Sequence, residues 1–102
     1  MIISYANDDK TYLSHHFNVQ EFRCKCGQVH EILIDSSLIS KLERIFTAIN
    51  CSKIIVTSGY RCEKHDKTVG GSGCGQHTKG TAADIICYSQ DGQPISSKKV
   101  RV

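Results

Sequence analysis

The chain has 102 residues, enough for one domain with a small core, and its 39% hydrophobic content fits a globular rather than a disordered protein. The formal net charge of +3 equals the charge of Lys98, Lys99 and Arg101, so the rest of the chain sums to zero. A basic tail without a basic stripe, interleaved aromatics or any Trp excludes a nucleic-acid-binding reading, and no run approaches the ~20 apolar residues of a membrane span.

Residues 1–10 predict a loose segment. They carry Asp8 and Asp9 and lack the apolar core of a secretory signal, so the chain is expected in the cytoplasm as synthesised. Asn18 predicts the start of a short helix. Its side chain caps, Glu21 at the third helical position completes a capping box, and Phe17 staples to Phe22. Cys24 to Gly27 then turns the chain, and Val29 to Ile34 reads as a short extended segment.

Leu38, Ile39, Leu42, Ile45, Phe46 and Ile49 recur at helical spacing and predict the main core helix, Ser37 to Asn50, capped by Ser36 or Ser37. Ile54 to Thr57 is β-branched and short, and predicts a buried strand that delivers Ser58 to Arg61 at its end. Cys62 to Val69 predicts a brief helix, and the glycines between Gly70 and Gly75 a loop. Thr81 to Tyr88 predicts a second strand, with Ala82, Asp84, Ile86 and Tyr88 on one face and Ala83, Ile85 and Cys87 on the other. Asp91-Gly92 is a turn. Ser96 or Ser97 then reads as the cap of a helix cut short by the end of the chain. Together these elements predict an α+β fold, a small antiparallel sheet packed on the main helix.

Six cysteines without a signal peptide argue against a disulfide framework. Cys24 and Cys26 are one residue apart, tighter than ordinary zinc-knuckle spacing. Two readings stay open: buried or idle thiols throughout, or a structural zinc or disulfide that uses Cys24 and Cys26. His15, His16 and His30 read as surface residues.

His77 precedes a Gly80 turn, and Asp84 sits on the strand that follows. That spacing allows an imidazole and a carboxylate to share a metal, and allows equally an ordinary His–Asp hydrogen bond at the surface. Arg61 follows a strand, where its guanidinium could face a developing oxyanion, or merely pair with Glu63 or Asp66. Tyr60 and Gln76 are candidate substrate contacts. His65, in the short helix, is the nearest candidate for a further ligand.

Three blocks, Ser58-Gly59-Tyr60-Arg61, Val69-Gly70-Gly71 and His77 to Asp84, stand in the order and at the spacing of the zinc D-alanyl-D-alanine peptidases of bacterial cell walls. The sequence resembles that family from about Phe17 to Asp84, and Glu21 to Gly27 looks like the start of one of its branches. The resemblance implies the hedgehog/DD-peptidase fold. It implies that His77 and Asp84 ligate zinc, that Arg61 steadies the oxyanion, and that the substrate is a D-amino-acid-containing peptidoglycan peptide cut by a carboxypeptidase or endopeptidase. The endolysins of this family act at the wall after release from the cell. The family's third ligand and catalytic acid/base come from a later His-containing motif that has no counterpart here, so residues 1–102 are expected to form a single peptidase-like domain lacking that segment. The corresponding alternative is a non-catalytic module that holds cell-wall peptides. Gly75 replaces a family Ser, and Asp66 replaces a frequent Asn.

Overall fold

The computed structural model describes all residues except 72, 74 and 96–99. Among the described residues there are two small antiparallel sheets and two α-helices. The first sheet pairs β1 (Ile2–Tyr5) with β2 (Ile32–Asp35). This corrects the reading of residues 1–10 as loose: Ile2 lies opposite Asp35 and Tyr5 opposite Ile32. The Met1 amine also reaches the Asp35 carboxylate at 3.0 Å.

The capping box at Asn18 forms as expected, on a 3-10 turn, Val19–Phe22. The Asn18 carboxamide accepts from the Gln20 N–H, the Glu21 carboxylate accepts from the Asn18 N–H, and Phe17 and Phe22 pack with ring centroids 6.2 Å apart. Both phenylalanines are buried in the core.

Helix α1 (Ser36–Ala48) turns Leu38, Ile39 and Leu42 into that core. Its cap is Asp35, whose carboxylate accepts from the Ser37 N–H at 2.9 Å, and not Ser36 or Ser37. Asp35 is already held by β2 and the Met1 amine, which fixes the helix start one residue earlier. The helix ends where Asn50 takes a left-handed conformation, φ 48°.

The second sheet has the order β3 (Lys53–Ser58), β4 (Asp84–Tyr88), β5 (Val100–Arg101), with β4 central and all pairings antiparallel. Strand β3 is buried on one face only: Ile54 and Val56 are in the core, while Ile55 is exposed. On β4, Ala83 before it and Ile85 and Cys87 within it face the core, as the alternation predicts. Val100–Arg101 pairs with Asp84–Ile85 where the sequence suggests helix; the capping serines 96 and 97 lie outside the described residues. A single core cluster joins Phe17, Phe22, Ile32, Leu42, Val56 and Ile85, so both sheets and α1 share one interior. Among the described residues no helix is long and apolar enough to cross a membrane.

Candidate active site

The site stands where β3 and β4 meet α2 (Glu63–Thr68) and a 3-10 turn, Gln76–Lys79. A register shift between Val56 and Ser58 sets two residues of β3 against one of β4 and places Ser58 opposite Asp84. Such a bulge re-aims the end of a strand. Past it, the chain at Gly59 runs against Phe22 so closely that an added Cβ would overlap the Phe22 backbone. The Tyr60 N–H closes this contact on the Phe22 carbonyl at 3.0 Å. The Gly of the Ser-Gly-Tyr-Arg block thus docks the strand end on the capped turn and sets the direction in which Arg61 leaves it.

His77 is 6% exposed. Its Nδ1 donates to the Gly59 carbonyl at 2.8 Å, which leaves Nε2 with its lone pair free, 3.5 Å from Asp84 Oδ2. With bonds of about 2.0–2.1 Å, two ligand atoms on a tetrahedral zinc lie about 3.4 Å apart. A backbone carbonyl behind the distal nitrogen is the usual device that fixes a ligating imidazole. His77 and Asp84 therefore fit a zinc ion in both spacing and tautomer. The Arg61 N–H bonds the His77 carbonyl at 3.1 Å, tying the two blocks together.

Arg61 is held from three sides. Its Nε donates to Ser58 Oγ at 3.0 Å, Nη1 pairs with Asp66 Oδ1 at 3.1 Å, and Nη2 lies 3.7 Å from Asp84 Oδ2. Asp66 is 3% exposed, and its other oxygen accepts the Gly73 N–H at 3.0 Å. The Gly73 amide first, then the Arg61 guanidinium, hold this carboxyl below its ordinary value against the opposing effect of burial. Gly71 lies so close that a Cβ there would overlap the Asp66 carboxylate. Gly71 and Gly73 thus close on Asp66. The sequence assigns Ser58 no role and offers Asp66 only as a surface partner of Arg61 or an added charge, whereas here it is buried. The available signal was their spacing from Arg61, three residues before it and five after.

Gln76 is exposed, and its amide oxygen accepts from the Thr81 hydroxyl. Tyr60 is half-buried, with its ring edge-on to His30 at 5.8 Å. His65 lines a cleft with Cys26 and Cys62. Among the described residues, no third His, Cys, Asp or Glu joins His77 and Asp84 at metal-ligand spacing. A separate groove, lined by Ile3, Tyr5, Leu13, Ile34, Ile39 and Glu43 among others, includes none of these site residues.

One histidine expectation changes. His16 is exposed, as expected, and lies on the outside of α1, stacked on Phe46 with centroids 3.7 Å apart and bonded to Glu43 at 2.6 Å. His30 turns inward to Cys26, with Nε2 3.0 Å from Sγ.

Residues 15–99 match the family model described as Peptidase M15. The chain belongs to this family of zinc peptidases of the D-Ala-D-Ala dipeptidase and carboxypeptidase type. Comparison with curated proteins and with solved structures returned no match.

Proposed function

We propose that this chain is a zinc-dependent peptidase, a carboxypeptidase or endopeptidase, that cuts D-amino-acid-containing peptides of bacterial cell walls, on a domain of hedgehog/DD-peptidase type. The observation that carries the reading is the convergence of His77 Nε2 and Asp84 Oδ2, 3.5 Å apart, beside Arg61 in a chain of the M15 family. His77 and Asp84 are the residues that would hold zinc. A zinc ion bound there supplies Lewis acidity to a scissile carbonyl and acidifies water.

Arg61 is the oxyanion donor. Ser58 and Asp66 fix its Nε and Nη1, while Nη2, 3.7 Å from Asp84 Oδ2, is the most loosely held arm and the one that meets substrate oxygen. Gln76, exposed next to His77, contacts the peptide, and Tyr60 next to Arg61 is the second contact. The protein meets this substrate at the cell wall after its own release from the cell.

The test is to incubate the zinc-loaded protein with peptidoglycan stem peptides and follow products by mass spectrometry. Cleavage next to a D-residue is expected, with a fall of about 10²–10³-fold in rate for Arg61→Gln. A second reading, a module that binds cell-wall peptides without cutting them, is favoured by the two-residue ligand set. Saturable binding of the same peptides without any product would establish it.

A further inference from the structure

A second group of metal-binding side chains lies apart from His77 and Asp84. Cys24 and Cys26 follow the capped turn, His30 lies just before β2, and Cys62 caps α2. One ligand atom from each, three sulfurs and a nitrogen, lies within 4.8 Å of all the others. We propose that Cys24, Cys26, His30 and Cys62 form a structural zinc site independent of the peptidase centre.

The distances bracket those of a tetrahedral site, from 3.0 Å between Cys26 Sγ and His30 Nε2 to no more than 4.8 Å for any pair. With zinc–sulfur bonds of about 2.3 Å, two thiolate ligands stand about 3.8 Å apart. Cys24 Sγ and Cys62 Sγ are 3.8 Å apart, far beyond a disulfide bond of about 2.05 Å. The outer partners are those a zinc site needs. His30 Nδ1 donates to the Glu31 carbonyl at 2.7 Å, which leaves Nε2 as the ligand atom and turns it toward Cys26. Two backbone amides point at the sulfurs: Cys62 N–H at Cys24 Sγ, 3.3 Å, and Gln28 N–H at Cys26 Sγ, 3.4 Å. Amide donors of this kind favour the thiolate, the form that binds metal. Lys64 lines the cleft beside Cys26 and Cys62, a cation near a centre that would carry net negative charge.

The set is closed, four protein ligands with no open position, as in structural rather than catalytic zinc sites. It joins the chain at Cys24 to Cys62, 38 residues away and directly after Arg61. Its effect is to staple the N-terminal turn to the strand end that carries the oxyanion donor. Closing a long loop in this way stabilises a small domain whose core is limited.

The test uses the reduced, metal-free full chain titrated with cobalt(II). A thiolate-to-cobalt charge-transfer band in the near ultraviolet, displaced by one equivalent of zinc, is expected. It should be lost in Cys62→Ser and in Cys26→Ser, kept in His30→Cys with added intensity, and unchanged in His77→Ala with Asp84→Ala. The last variant separates this site from the peptidase reading, because His77 and Asp84 offer no sulfur. Cys26 is partly exposed, so its variant reports even if Cys62→Ser does not fold. Absence of the band in the wild type overturns the proposal. So does a Cys24–Cys62 disulfide found by mass spectrometry in protein from a reducing cytoplasm.

Discussion

Asp66 holds Arg61 from beneath: Oδ1 lies 3.1 Å from the guanidinium while Oδ2 takes the Gly73 amide at 3.0 Å. One buried carboxylate therefore fixes both the proposed oxyanion donor and the Gly73 amide. Asp66→Ala should cost about 2 to 3 kcal/mol in denaturant unfolding, near the low end for breaking a buried pair because Arg61 keeps 20% exposure. Asp66→Asn retains an acceptor for Gly73 and should cost about 1 kcal/mol.

The same contact predicts acid sensitivity. The Asp66 carboxyl is held below its ordinary value of 3.8. Its folded pKa is thus lower than its unfolded one, and protons bind the unfolded chain more readily. The stability it contributes is fully present above the unfolded value and is lost as pH falls through the depressed folded value. Unfolding midpoints followed from neutral pH downward should drop in the wild type below about pH 4, and drop less steeply in Asp66→Asn.

Gly71→Ala should destabilise by about 1–3 kcal/mol, because the new methyl group overlaps the Asp66 carboxylate and no rotation of that buried side chain keeps both its bonds. Gly92→Ala is the control. An added Cβ there meets nothing, so its cost is only that of a left-handed backbone, φ 84°. Equal losses in thermal unfolding would refute a steric role for Gly71.

Asn18→Ala removes the cap on the turn that Gly59 packs against, and should cost about 1 kcal/mol. Because the Tyr60 amide bonds Phe22 at the end of that turn, hydrogen exchange at Tyr60 should speed up in the variant. Unchanged exchange at Tyr60 would mean that the turn and the strand end are uncoupled.

The features readable from sequence are those written in adjacent residues. The Asn18–Glu21 box, the apolar period of α1 and the alternation on β4 each sit within a few turns or one strand, and each forms. Features that need distant partners were not readable. Strand β1 exists because Ile2–Tyr5 finds Ile32–Asp35 some thirty residues on, and its mostly exposed side chains carry no apolar alternation. The cap of α1 falls on Asp35 because β2 and the Met1 amine hold it, a choice that three consecutive cap formers, Asp35, Ser36 and Ser37, leave open. The bulge before Ser58 is a matter of pairing with β4, not of composition. At the site, His77, Asp84 and Arg61 stood out in the sequence by their motif. Ser58 and Asp66 did not, because their roles appear only once Arg61 folds back between them. The Cys24–Cys62 approach has the same cause.

Metal binding by His77 and Asp84 together is read most directly by cadmium-113 magnetic resonance of the cadmium-loaded chain, whose chemical shift separates sulfur from nitrogen and oxygen ligands. A signal in the nitrogen–oxygen range is expected, lost in His77→Ala and in Asp84→Ala and kept in Cys62→Ser. No signal in that range, in a wild-type protein that is folded and saturated with metal, would contradict a metal shared by His77 and Asp84.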